Sequence, residues 1–225
     1  MANQLLNSNQ IVSKQRVADH GEVLTAEREV NAMLDLVKPE TRRIDSRFLE
    51  PACGTGNFLA IVLERKLALI EKRYSRSQIE FERNSFIALA SIYGIEILPD
   101  SLKLCRDRLL GIFTHYYLKN YKKRIKPEYL KAAEFVLNRN ILWGDALTLK
   151  TPDEKAEPIV FSEWTRPFND SRIKRREYFF SELTQKGEVD LFSTQIVSDT
   201  GESGFIPEPH KEFPLTHYLR IYESN

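Results

Sequence analysis

The sequence predicts an α/β fold, with a mostly parallel sheet carrying helices on both faces and an irregular C-terminal extension. Three observations carry this. Short apolar strand-like runs alternate with longer helical patterns, glycine or proline sits at the strand-to-helix junctions, and prolines break up the chain after residue 150. The expected division is a core over residues 1–150, with 151–225 as a divergent remainder of that core and an extension.

Residues 1–20 are polar and read as irregular. After Thr25, the spacing of Val30, Met33, Leu34 and Val37 predicts a helix, with Thr25 as candidate cap and Pro39 as its end. A full capping box from Thr25 is missing, because the position three residues on is Arg28. A short strand is expected from about Ile44 to Leu49. It runs into Glu50-Pro51-Ala52-Cys53-Gly54-Thr55-Gly56-Asn57-Phe58, and an apolar helix continues through Leu59, Ile61, Val62, Leu63, Leu67 and Ile70. A second strand spans residues 92–97, and Pro99-Asp100-Ser101 can start the helix that follows. The tyrosine- and lysine-rich stretch 115–138 reads as partly helical, and Ile141-Leu142-Trp143 as a third strand ending in Gly144-Asp145-Ala146. Beyond it, residues 158–164 read as a strand, while 171–183 fits strand, helix or both.

Composition narrows the function classes. The 225 residues, 42% of them hydrophobic, can bury a real core. A formal charge of +1 argues against a chain held on nucleic acid by bulk charge and leaves room only for a local basic face. Two cysteines without Cys-x-x-Cys spacing and four scattered histidines predict neither a disulfide framework nor a metal site. No run approaches the roughly 20 apolar residues of a membrane span, and the N-terminus does not resemble a signal peptide, so a cytoplasmic location and no membrane partner are expected.

Chemistry concentrates at three strand ends. Gly54 and Gly56 permit a sharp turn and close ligand approach, and the helix that begins there offers unpaired N–H groups and a positive dipole end. The third glycine of the dinucleotide fingerprint is missing, so the turn suits a single carboxylate better than a pyrophosphate. Glu96 ends the second strand, where an acid can take both ribose hydroxyls of an adenosine; the alternative is a carboxylate beside a helix start. Asp145 ends the third, where it can accept from an adenine amine while the Ala146 N–H meets a ring nitrogen; the alternative is a turn or cap aspartate.

These motifs carry a resemblance. Residues 48–59, Phe48-Leu49-Glu50-Pro51-Ala52-Cys53-Gly54-Thr55-Gly56-Asn57-Phe58-Leu59, resemble the S-adenosylmethionine (SAM) motif of the γ-type amino-methyltransferases, the DNA adenine-N6 enzymes of type I and type IIG restriction–modification systems. His20-Gly21-Glu22-Val23-Leu24-Thr25 resembles that family's N-terminal motif, Gly94-Ile95-Glu96-Ile97 its ribose motif and Gly144-Asp145-Ala146 its adenine motif. The match runs in the family's order over about residues 16–150. It implies a Rossmann-like SAM-dependent methyltransferase fold. The cofactor-binding set it implies is Val23, Thr25, Glu50, Pro51, Ala52, Gly54, Thr55, Gly56, Asn57, Phe58, Glu96, Ile97, Asp145 and Ala146.

The resemblance breaks at the family's catalytic motif, Asn/Asp/Ser-Pro-Pro-aromatic, which accepts from the flipped adenine's amine and stacks on its ring. No Pro-Pro occurs in the chain, and no catalytic residue can be assigned. Phe161, Trp164, Phe168 and Asn169-Asp170 occupy the region; they read either as a divergent substitute or as a structural strand and turn. Two basic clusters, Lys122, Lys123, Arg124 and Lys126 among tyrosines, and Arg172, Lys174, Arg175 and Arg176, fit phosphate contact or a solvated face equally well. The length leaves no room for a separate target-reading domain, so DNA contact is expected through a partner subunit or a homo-oligomer. A non-catalytic SAM-binding subunit and a methyltransferase on another substrate remain the rival readings.

Overall fold

The computed structural model describes residues 25–184 and 208–224. Helix α1, Glu27–Leu36, is capped at Ala26 rather than Thr25, and the Ala26 N–H donates to the Glu29 carboxylate at 3.4 Å, so the acid three residues along belongs to Ala26. Pro39 does not end α1; it occupies the first turn of a separate short helix α2, Lys38–Thr41, where its missing N–H costs nothing. Strand β1 is Phe48–Glu50, shorter than expected. The carbonyls of Ile44 and Ser46 are turned toward the buried Lys66 ammonium instead of a ladder.

Helix α3, Asn57–Tyr74, and helix α4, Gln78–Ala90, lead into strand β2, Ile92–Glu96. Helix α5, Pro99–Tyr121, a 3-10 turn and helix α6, Pro127–Asn140, lead into strand β3, Ile141–Trp143. The three strands are parallel in the order β1-β2-β3, with Glu50 opposite Gly94 and Glu96 opposite Trp143. Glu50, Glu96 and the residues after Trp143 therefore stand side by side at one sheet edge.

Alternation along the strands sorts two cores. Phe48, Ile92, Ile141 and Trp143 meet the apolar faces of α1, α3, α4, α5 and α6. Leu49, Tyr93, Ile95 and Leu142 meet Ile159, Phe161, Tyr178, Phe180 and Leu183. This second face differs from the helical layer expected. Among the described residues it carries an antiparallel pair, β4 (Val160–Thr165) and β5 (Arg172–Phe179), with the five-residue helix α7, Phe180–Thr184. Residues 171–183 are thus strand and helix in turn.

The described C-terminal residues, 208–224, are likewise not an irregular extension. Strands β6, Lys211–Glu212, and β7, Thr216–His217, pair with β5, and a 3-10 helix, Tyr218–Glu223, packs on the helical core through Tyr218 and Ile221. Its anchor is Glu82 of α4, fully buried, which accepts from Tyr218 Oη (2.6 Å), Tyr117 Oη (2.7 Å), Lys126 Nζ (2.6 Å) and Gln78 Nε2 (2.9 Å). Burial opposes ionisation of Glu82, but these donors outweigh it and hold the carboxyl below its ordinary range. A group with a depressed folded pKa stabilises the fold above its unfolded value and loses that contribution as pH falls through the folded value. Glu82→Gln should therefore cost about 1–3 kcal/mol near neutral pH, because a charged acceptor of buried hydrogen bonds is lost while the half-exposed Lys126 falls back on water. In urea unfolding, the gap between variant and wild type should close as pH drops below the usual carboxylate range.

Candidate cofactor site

The turn after β1 is built by backbone constraints. The Cys53 N–H donates to the Ile95 carbonyl (3.0 Å), extending the β1–β2 pairing by one contact. Gly54 (φ 52°) and Gly56 (φ 80°) then adopt the left-handed conformation, and the Gly56 carbonyl accepts from Ala60 (2.9 Å) to open α3. A Cβ on Gly56 would lie 2.6 Å from the Cys105 sulfur of α5, so packing as well as φ requires glycine there. Cys53 and Cys105 are both buried; the hydrogen bond between the thiols, followed by burial, pushes the Cys53 thiol well up. Cys53 thus behaves as the small packing group expected.

Glu96 closes over this turn. One of its carboxylate oxygens accepts from the Gly54 N–H (2.6 Å) and the other from the Leu98 N–H (2.9 Å), at 6% exposure. Each oxygen keeps a further lone pair. Glu50 is not satisfied in this way. Its Oε2 is buried without a hydrogen-bond partner among the described residues, as is the Oγ1 of Thr55, a residue 8% exposed. Burial, and then the charge of Glu96, push the Glu50 carboxyl up to about 8. Buried polar atoms are normally paired, so two unpartnered oxygens at one turn set it apart from the rest of the described core.

Asn57 Nδ2 donates to the Thr25 carbonyl (3.2 Å), which brings Thr25 to the glycine turn. Pro51 and Ala52 are exposed at the rim, and Phe58 is partly buried against the helical core. Ile97 is 46% exposed, with its carbonyl accepting from the Trp143 indole (2.9 Å). Asp145 accepts from the Leu147 N–H (2.8 Å) and Thr148 hydroxyl (3.1 Å), which hold its carboxyl below the ordinary range, Leu147 foremost. This is the turn-aspartate geometry weighed against the adenine contact. Ala146 packs on the second core. Val23 lies outside the described residues.

The region expected to replace the catalytic motif is structural where it is aromatic. Phe161 is buried in the second core, and Trp164 in the first, donating its indole N–H to Asn140 (2.9 Å). Phe168 is exposed beneath the Arg172 guanidinium, and Asp170 is bound by Arg172 at 2.7 Å. The second basic cluster is consumed by the fold: Lys174 and Arg176 pair with Glu212, and Arg175 is buried beside Glu177. Of the tyrosines of the first cluster, Tyr117, Tyr121 and Tyr129 are core and Tyr116 is partly buried, while Lys122, Lys123 and Arg124 are exposed. Sequence reasoning missed Arg108, whose Nη1 hydrogen-bonds Asn57 Oδ1; nothing in the spacing of α5 distinguishes it from a surface arginine. No helix among the described residues is long and apolar enough to cross a membrane, and no cluster of three or more His, Cys, Asp or Glu side chains among them is placed to hold a metal ion.

A parallel α/β sheet with a glycine turn and two acids at its mouth is compatible with a methyltransferase. The family model for the MmeI DNA-methyltransferase domain matches residues 24–150, more than half of the chain. The chain belongs to that family, among the DNA methyltransferases of restriction–modification type. No curated protein and no solved structure matches it.

The raised Glu50 pKa carries a stability consequence. Between the unfolded value of 4.5 and about 8, the unfolded chain ionises while the folded site keeps its proton, so stability falls as pH rises through that window and is flat above it. Glu50→Gln removes the mismatch. Thermal unfolding should show the variant melting above wild type at pH 8.5 and level with it at pH 4; a lower melting temperature at pH 8.5 contradicts the placement of this carboxyl.

Proposed function

We propose that the sheet mouth is a SAM site in a Rossmann-like core formed by residues 1–150, with 151–225 as its divergent remainder and extension. We further infer that the chain serves DNA adenine-N6 modification of the γ type. The observation that carries the cofactor reading is the unpartnered, partly buried Glu50 carboxyl beside the glycine turn, a receptor for a cation. The α-ammonium of the methionine arm fits it by charge, and so does the nearby sulfonium. The order of motifs and the family match support the same reading.

The roles follow from the donors and acceptors present. Glu50 accepts from the ammonium, while Val23, Thr25 and the turn from Gly54 to Asn57 hold the rest of the methionine arm. Glu96 keeps its two backbone N–H donors and uses its remaining lone pairs for the ribose hydroxyls. Ile97, Asp145 and Ala146 border the adenine, and Pro51, Ala52 and Phe58 close the rim. SAM, when bound, supplies an electrophilic methyl on its sulfonium, and the chain's contribution is to fix that methyl's position and keep the acids paired.

One observation favours a second reading, a SAM-binding subunit that completes its active site with another chain. Phe161 and Trp164 are locked in the cores and Asp170 is bound by Arg172, so these side chains are not free to receive an extruded base. DNA would then be engaged through a partner subunit or a second copy.

Calorimetry with SAM tests the cofactor reading: wild type should bind, Gly56→Arg should not, and Glu96→Ala should lose about 1–3 kcal/mol as a charged acceptor disappears. Wild-type protein that fails to bind SAM contradicts the reading. Transfer of labelled methyl to adenine-rich duplex DNA, with and without a partner chain, separates the two functional readings.

A further inference from the structure

Arg108 lies on α5, 51 residues beyond Asn57 in sequence, yet its Nη1 donates to Asn57 Oδ1. Asn57 is the first residue of the 18-residue helix α3, and its amide in turn donates to the Thr25 carbonyl. The guanidinium therefore stands at the N-terminus of α3, where Gly56 provides no side-chain cap. Immediately before that start is Thr55, more than nine-tenths buried, with its hydroxyl oxygen lacking a partner. Arg108 is in no ion pair among the described residues, and burial lowers its pKa, the mark of a cation partly removed from water. Helix dipole and desolvated guanidinium favour an anion, beyond the more distant charge of Glu64, and the Thr55 hydroxyl is free to donate to one. On the other side of the glycine turn, Glu50 calls for a cation. Opposite charge demands flanking one short turn match a zwitterionic α-amino acid.

We propose that Arg108 recognises the carboxylate of the methionine arm, with Asn57 setting the guanidinium's orientation. This rests on the SAM reading above and deepens it: Arg108 lies outside the motifs that suggested the site. A guanidinium suits the task because its planar donors meet a carboxylate in pairs, which a lysine ammonium cannot do.

The test compares SAM with its decarboxylated analogue, which keeps the sulfonium, ammonium and adenosine and lacks only the carboxylate. In calorimetric titration of the full chain, wild type should prefer SAM by on the order of tenfold. Arg108→Gln should lose that preference, weakening SAM and leaving the analogue unchanged, and Arg108→Lys should recover part of it. Equal weakening of both ligands would mean that Arg108 only braces Asn57, and would overturn the proposal. So would equal affinity of the wild type for the two ligands, a result that needs no folded variant. Wild-type protein that binds neither ligand refutes the SAM site itself, whereas binding of SAM without discrimination refutes only the role of Arg108.

Discussion

The structure turns on two carboxylates brought to one edge by parallel pairing. The register that sets Glu50 opposite Gly94 also puts Glu96 two residues further along the neighbouring strand, so two acids share a small, partly dry space. Like charges that close cannot both ionise cheaply, and the fold settles the conflict asymmetrically. Glu96 receives two backbone N–H groups, one from the glycine turn it faces, while Glu50 receives none on its buried oxygen and holds its proton up to about 8. One carboxylate is thus satisfied by backbone donors and the other is held protonated by burial, the asymmetry on which the proposed cation site rests.

The rest of the molecule keeps that edge rigid. Gly56 presses on Cys105, which fixes α3 against α5; Arg108 and Asn57 tie the same two helices to the backbone at Thr25. Glu82 gathers α4, α5, Lys126 and the C-terminal 3-10 helix around one buried charge. The second face is sealed by β4 and β5, where Glu163 meets Arg47 at 2.7 Å and Tyr93 donates to the Ser162 carbonyl. The family match ends at residue 150, yet the chain beyond it supplies side chains to both cores.

The glycine turn, β2, β3 and the start of α5 were legible because glycine, proline and uninterrupted apolar runs punctuate them. Helix α4 was not, since its buried face carries Glu82 and Ser85 as well as Phe81, Phe86 and Leu89, which blurs the apolar period. Strand β4 was legible in residues 158–164, but β5 stayed open between strand and helix, because buried Arg175 interrupts the alternation that marks a strand. At the site, motif order located Glu50, the turn and Glu96. It could not show that Asp145 is held by its own turn, or that an arginine from a distant helix reaches Asn57, because both depend on tertiary placement.

The most direct test of the carboxylate pair is the proton count on binding. A cation seated on Glu50 must drive off its proton, so SAM titrated at pH 7 in buffers of different ionisation enthalpy should release close to one proton. The release should fall as pH rises through 8 and give way to uptake by pH 9, where Glu50 is already ionised and the free ligand's α-amine must gain the proton it carries on Glu50. Binding at pH 7 with no proton released, or with uptake instead, would contradict the account.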